Sequence, residues 1–394
     1  MDWIYLDNNA TTQPADEVTA KVNEANEQFW ANPSSVHRLG QMVRQQLELA
    51  RTSVARLIGA RPREIFFTSG GTEANNLALR GSRTTVIFTS LAEHAAVREP
   101  AEKLAKEGVR LVMLQLNSCG IVEPKTLQHA LENHVQPDDI PLVSLQWANN
   151  ETGMIQPISE LIAAAHAHEH RVAFHVDATQ VAGKLPMDVH AMDADMLTLA
   201  GHKFHGPKGV GALYVRRGIR LEPQILGGPQ EREQRGGTEN VPAILGMGVA
   251  ADLAYDLITD SQRIQTLSKL RNKLEQTICQ SCRGAVINPC DLSVPGEYQR
   301  LWNTTNLGFP KLEAEAILLM LSEKGICASA GAACSSGSLE PSPVLLAIGV
   351  PPEVAHGSVR LSLSRYTTED QIDRACQIIP QVITKLRKVS ANVI

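Results

Sequence analysis

The stretch DMLTLAGHKFHGPKGVGALYV, residues 195–215, decides how the rest of the chain is read. An apolar run of strand length, 195–200, ends at Gly-His-Lys. A second, 210–215, begins just beyond Gly-Pro-Lys-Gly. The same kind of run recurs as EIFFTS (64–69), TVIFTS (85–90), VRLVMLQL (109–116), PLVSLQW (141–147) and RVAFHVD (171–177). Between the runs lie helical patterns, among them 37–58, 73–81, 94–107 and 158–169. Strands this continuously apolar are buried on both faces, so the alternation predicts an α/β fold around a mostly parallel seven-stranded sheet.

A helical pattern from about 239 to 282 then leads into a different region. There LWNTTNLGF (301–309) and SVRLSLS (358–364) read as strands, among helices at 311–324, 341–348 and 368–388. At 394 residues the chain exceeds the roughly 250–300 at which one core tends to split. We therefore expect a large domain over 15–258 and a smaller α/β domain made of 1–14 and 259–394. No internal repeat or long linker interrupts this organisation.

Composition narrows the function. With 43% hydrophobic and 20% charged residues the chain can bury a large core, and general disorder is excluded. A net charge of −5 predicts no broad basic face, so nucleic acid is not expected as a direct ligand. Seven cysteines, an odd number thinly spread, suit reduced thiols in the cytoplasm better than a disulfide framework. The N-terminus lacks the pattern of a signal peptide, and no apolar run reaches the ~18 residues that cross a bilayer, so no membrane is expected.

Three constellations could carry chemistry. In FFTSGGTEANN, a strand ends near Thr68 and a helix begins near Glu73; the glycines between free backbone N–H groups to cradle an anion, and Thr72 is placed to cap the helix. Alone, an ordinary capped turn is the commoner reading of such a motif. In GHKFHGPKG, Lys203 sits at the carboxyl end of a strand, where α/β folds bind ligands and a partly desolvated amine becomes a nucleophile. Alone, a surface lysine is the commoner reading, and Lys208, in its Gly-Pro turn, is the more exposed competitor. In VAFHVDATQ, strand alternation puts His175 and Asp177 on one face with Asp177 at the end, where an aspartate also commonly caps a turn. Taken together, an anion cradle, a strand-end lysine and a strand-end carboxylate are the parts that a pyridoxal phosphate site needs.

A fourth feature is CASAGAACSSGSLEPSP, 327–343, which sets Cys334 among alanines, serines and glycines. A structural thiol is usually packed among large apolar side chains, so this surround predicts an accessible, mobile loop. Cys119, Cys327 and Cys376 have no base nearby in sequence and read as structural. The CQSC pair at 279–282, with Cys290 beyond, lacks a clear fourth ligand, and HAHEH at 166–170 reads as a solvated helix end; no metal site is expected.

Nearly end to end, the chain resembles the group I (NifS/IscS-like) cysteine desulfurases, fold-type I enzymes of the class V aminotransferase family. The likeness runs through YLDNNATT (5–12), NPSSVH (32–37), SGGTEANN (69–76), EHAAV (93–97), NNETG (149–153), HVDATQ (175–180), GHKFHGPKG (201–209), RGGTENV (235–241), AACSSGSLEPS (332–342) and VRLSLSRYTTEDQID (359–373). The resemblance implies that Lys203 carries pyridoxal 5′-phosphate covalently and that His94 stacks on its ring and moves protons. Asp177 would pair with the ring nitrogen, with Gln180 and Asn150 on the ring-oxygen side. Gly71, Thr72 and His202 would bind the phosphate, joined by Thr238 from the other subunit of a homodimer. Arg360, with Asn150, would bind the substrate, Arg360 clamping its carboxylate. Two departures from the family pattern stand out. Ala200 occupies a position where many relatives have a phosphate-binding serine, and ASAGAAC replaces a commoner Ser-Gly-Ser sequence before the cysteine.

The implied reaction removes sulfur from L-cysteine, giving L-alanine and a persulfide on Cys334 for a sulfur-acceptor protein, in iron–sulfur cluster assembly or another transfer pathway. A selenocysteine lyase or an aminotransferase is the nearest alternative, separated by selenocysteine turnover and by amination of 2-oxo acids. A non-catalytic sulfur-relay scaffold is the alternative of another class, and a purified protein without yellow colour would favour it. A thiol hydrolase built on Cys334 lacks a histidine marked as its base.

Overall fold

The computed structural model describes residues 3–289, 299–330 and 340–391. The chain opens with a short strand, β1 (Ile4–Tyr5), and then lays down β2 (Ile65–Thr68), β3 (Val86–Ser90), β4 (Arg110–Leu114), β5 (Pro141–Gln146), β6 (Ala173–Asp177), β7 (Met196–Ala200) and β8 (Gly211–Val215). Four more follow: β9 (Val286–Ile287), β10 (Thr304–Gly308), β11 (Ile326–Cys327) and β12 (Ser358–Ser362). Strands β2 to β8 form one seven-stranded sheet in the order β2-β8-β7-β6-β5-β3-β4. All its neighbours are parallel except β8, which runs against both β2 and β7. The mostly parallel sheet expected from the apolar runs is therefore the sheet observed.

Alternation along the strands explains why both faces are covered. Leu197, Leu199, Ala212 and Tyr214 pack into one core with the helices Asp16–Gln28, Arg38–Leu57, Ile158–His166 and Val241–Thr259. Met196, Leu213 and Val215 turn the other way, under the helices Gly71–Gly81 and Ala95–Lys106. The helix Val241–Thr259 is apolar on nearly every side, and by length and composition could cross a bilayer; 67% of that stretch is buried instead, against the two helices near the N-terminus. A helix apolar all round belongs in a core or a membrane, and this one is a core helix.

A separate apolar core gathers Ile4, Leu6, Leu274, Ile317, Val359 and Ile379 around the antiparallel sheet β12-β10-β9 and the parallel pair β1-β11. Here one expectation needs correction. The helical pattern over 239–282 is two helices, Val241–Thr259 and Ser261–Ser281, because Asp260 takes a non-helical ψ of 86° and its carboxylate caps the second by accepting from Arg263 N at 2.9 Å.

The carboxyl ends of β2 and β7 flank the start of β8, with Thr68 and Ala200 both paired to Gly211. A Cβ at Gly211 would lie 2.7 Å from Gly70 Cα and from Leu199 O, both main chain. That close approach lets the turn after β2 settle beside the turn after β7. Gly211→Ala is expected to destabilise the protein by about 1–3 kcal/mol, the usual range for overpacking, measured as a lowered melting temperature in calorimetry.

Candidate active site

A cavity of about 250 Å³ opens where β5, β6 and β7 end, lined by Gly71, Thr72, His94, Asn150, Asp177, Gln180, His202 and Lys203 among others. That lies near the lower end of the about 300–1,000 Å³ usual for ligand cavities. Each of these side chains reaches it for a local reason. Lys203 closes a short 3₁₀ turn, Gly201–Lys203, directly after β7, and its Nζ donates to Asn9 O at 2.6 Å and Ala10 O at 2.9 Å. Asp177 is the last residue of β6; its Oδ2 accepts from Asn75 Nδ2 at 2.8 Å and its Oδ1 from Thr179 N at 2.9 Å. His175, two residues earlier on the same face, lies inside the sheet between Ser144 Oγ and Thr198 Oγ1, and burial lowers its pKa to about 4.

His94 caps the helix Ala95–Lys106, its Nδ1 accepting from Ala96 N at 3.0 Å, so the neutral ring carries its proton on Nε2. Burial lowers the pKa of this imidazole and Lys203 adds to the effect, while Asp177 opposes it. His202 meets Thr11 Oγ1 at 3.2 Å, and burial beside Lys203 brings its pKa to about 4. Gly71 and Thr72 form the first turn of the helix Gly71–Gly81, whose leading N–H groups have no acceptor within the helix. Thr72 does not cap that helix as expected; Gly70 holds the cap position without a side-chain bond, and Thr72 lies one residue inside the helix.

Asn9, whose role the sequence did not disclose, ties these parts together. It is 1% exposed. Its N donates to Ser362 Oγ at 2.9 Å, and its Nδ2 to Asn150 O at 3.1 Å and Thr304 Oγ1 at 2.9 Å. Its Oδ1 accepts from Asn303 Nδ2 at 3.0 Å, and its carbonyl accepts from Gln180 Nε2 as well as from Lys203. Asn75 and Thr179, which steady Asp177, were likewise missed, as was Glu93 beside His94. The signal that could have found them was their place inside YLDNNATT, SGGTEANN, HVDATQ and EHAAV, stretches that carry the family likeness.

Two expected residues lie apart from the cavity lining. Arg360, buried on β12, donates through Nη1 to Asn150 O at 3.1 Å and through Nη2 to Asp7 Oδ1 at 2.7 Å, so it borders the cavity behind Asn150. Thr238 is exposed and lines a second hollow with Ser69, Gly209 and Arg235. Cys334 falls outside the described residues, as does Cys290. Lys208 is exposed. Cys282 is buried and Cys279 half-buried in the smaller core, where burial raises both thiol pKa values. The HAHEH reading changes: His166 is no solvated end but bridges Asp193 at 2.8 Å and Asp195 at 3.2 Å, which raises its pKa.

The donor set fits pyridoxal phosphate. A Cβ at Gly71 would stand 3.1 Å from Thr179 Oγ1 and 3.4 Å from Ala200 Cβ, so a larger residue would crowd the cradle at this helix end. The hydroxyl of Thr179 sits beside Ala200 at the same place, where the family pattern would bring a serine.

A mostly parallel sheet with lysine, aspartate and anion cradle at its strand ends defines a fold-type I pyridoxal phosphate transferase. Comparison with known proteins makes this narrower. The family model for class-V aminotransferases matches residues 4–375. The chain is 45% identical to cysteine desulfurase 2 of Trichormus variabilis, over 99% of this chain and 95% of that one. It is 45% identical to the cysteine desulfurase NifS of Azotobacter vinelandii, over 98% and 94%. A solved NifS-like protein superposes with a TM-score of 0.88 at 34% identity, covering 98% of this chain and 100% of that one. The structure of SspA in complex with cysteine superposes at 0.77 and 31%, covering 92% and 99%. The chain belongs to the class-V aminotransferase family, among its cysteine desulfurases, and these enzymes depend on pyridoxal phosphate.

Glu93 supplies a test of the electrostatics. Burial, with Asp177 nearby, raises its pKa to about 8, although Ser90 Oγ and Gln146 N both contact its carboxyl. A raised folded-state pKa means that the native state holds a proton the unfolded chain releases. The resulting stability is present in full below the ordinary value of 4.5 and is lost as pH rises through about 8. Glu93→Gln mimics the protonated acid, so the variant is expected to lack this decline; denaturant midpoints measured between pH 5 and 9 should separate the two proteins increasingly towards alkaline pH.

Proposed function

We propose that this protein removes the sulfur of L-cysteine, releasing L-alanine and leaving a persulfide on Cys334. An acceptor protein then takes the sulfur, for iron–sulfur cluster assembly or another transfer route. The observation that carries this reading is the convergence of Lys203, His94 and Asp177 on one cavity beside an open helix N-terminus. Pyridoxal phosphate, when bound, supplies an electron sink for charge developing at the substrate Cα. Lys203 would hold it through Nζ and, once released, take the Cα proton. Asp177, fixed by Asn75 and by Thr179 N, would face the ring nitrogen. Gly71, Thr72 and His202 would hold the phosphate, with Gln180 and Asn150 at the ring-oxygen side. His94, with its proton on Nε2, would cover the ring and pass protons.

Cys334 as a thiolate attacks the substrate sulfur. The S–S bond forms, the C–S bond breaks, and its electron pair stays on carbon, which is protonated to the methyl group of alanine. Arg360 would orient the substrate carboxylate. Its position behind Asn150, with Asp7 on one arm, supports a role in which the fork exchanges partners when cysteine enters. A cytoplasmic homodimer completes the proposal, with the partner subunit's Thr238 at the phosphate; the exposed setting of this residue, beside Ser69 and Gly209, supports it. The chain would divide into a large domain, 15–258, and a small one, 1–14 and 259–394, that carries the cysteine loop.

Cys334→Ser is expected to keep the visible absorbance of the bound cofactor and to form no alanine from cysteine; full turnover in that variant would overturn the proposal. Arg360→Lys keeps the charge but loses the two-pronged fork. It should raise KM for cysteine about tenfold or more, since a charged hydrogen bond contributes roughly 1.5–3 kcal/mol; steady-state kinetics on the variant measure this.

A further inference from the structure

Lys203 also lines a second, much smaller cavity, of about 20 Å³, which shares no other residue with the first. Its basic groups come from three further positions: Lys184, His205 and Arg365. No aspartate or glutamate is among its described lining residues. Arg365 is 8% exposed; its guanidinium is hydrogen-bonded to Tyr366 and feels the charge of Glu17, but its Nε and Nη2 have no hydrogen-bond acceptor among the described residues. A guanidinium does not deprotonate at accessible pH, so burial cannot relieve this cost by neutralising it. Its ring-facing side rests on Tyr366, 4.9 Å from the centroid.

Of the neighbouring groups, Lys184 adds positive charge when protonated, whereas His205 is a neutral ring. Lys184, 6% exposed, donates to Gln180 O at 2.8 Å and Gln180 Oε1 at 3.1 Å, which leaves one ammonium hydrogen for another acceptor. His205 meets Gln13 O through Nδ1 at 2.8 Å and Ser364 Oγ through Nε2 at 3.3 Å. Burial lowers the pKa of both, to about 7 for Lys184 and about 4 for His205. The lining also includes the apolar side chains of Phe204, Leu257, Trp302 and Leu363 and the polar ones of Asn8, Thr12 and Ser364.

We propose that this cavity binds a single small monovalent anion of halide size, held by Arg365 Nε and Nη2 with the ammonium of Lys184 beside it. The volume selects the size: about 20 Å³ leaves room for one small ion and none for the outer oxygens of a sulfate or phosphate. The anion supplies the acceptor that Arg365 Nε and Nη2 lack and offsets the buried positive charge next to Lys203. This site goes beyond the sulfur chemistry, and its test does not depend on cysteine turnover.

Holoenzyme crystals grown with bromide in place of chloride should show an anomalous peak within hydrogen-bond reach of Arg365. In solution, chlorine NMR line broadening by the holoenzyme, displaced by bromide, reads affinity. Arg365→Gln should weaken that affinity about tenfold or more, and Lys184→Met, which keeps the guanidinium, should weaken it as well. If Arg365→Gln fails to fold, Lys184→Met alone decides. Water alone in the cavity, or chloride broadening unchanged in the folded variants, would overturn the proposal.

Discussion

The position of the reactive lysine depends on how one buried asparagine is satisfied. Asn9 has no water to bond, so each of its polar atoms needs a partner inside the protein. Those partners lie on β10 and β12, in the loop at Asn150, at Asn303 and just after β6. Its carbonyl, thereby fixed, accepts from Lys203 Nζ at 2.6 Å. The aim of an amine at the end of β7 is thus set by a strand pair in the other core. The seven-stranded sheet supplies the floor of the site, but it does not by itself say where the amine points.

Around that amine the protein removes charge rather than pairing it. His94, His175 and His202 all have lowered pKa values, and Glu93 and Glu151 raised ones, each with burial as the leading cause. Burial at the wall leaves ionic contacts such as Arg360 with Asp7 in a medium of lower dielectric where they act more strongly. A wall of this kind is suited to a cofactor whose own charges do the chemistry.

How much of this was legible in the sequence follows the range of the interactions. The seven sheet strands could be read because a continuous apolar run is a local signal, and the strand-end positions of Asp177 and Lys203 follow from the strands. Eight of the site residues named from the sequence line the one cavity: Gly71, Thr72, His94, Asn150, Asp177, Gln180, His202 and Lys203. The bonds of Asn9 could not be read, because its partners lie as far away as Ser362 and no local pattern marks such a bond. Glu93 looked like any helix-flanking acid, and only the fold shows that it is buried against Asp177. The break at Asp260 was legible in principle, as an aspartate before a serine and a polar turn, but continuous helical periodicity on both sides hid it.

The helix Val241–Thr259 carries a consequence for how the chain is made. Its apolar surface is fit for a lipid environment, yet its covering helices, Asp16–Gln28 and Arg38–Leu57, lie some two hundred residues nearer the N-terminus. A chain synthesised from that end has already released both when the apolar helix leaves the ribosome. The order of translation therefore has both covering helices available when this helix emerges, which shortens the interval in which chaperones or the membrane-insertion machinery could seize it. A permuted gene that began at residue 241 would keep every contact of the folded protein and lose that protection.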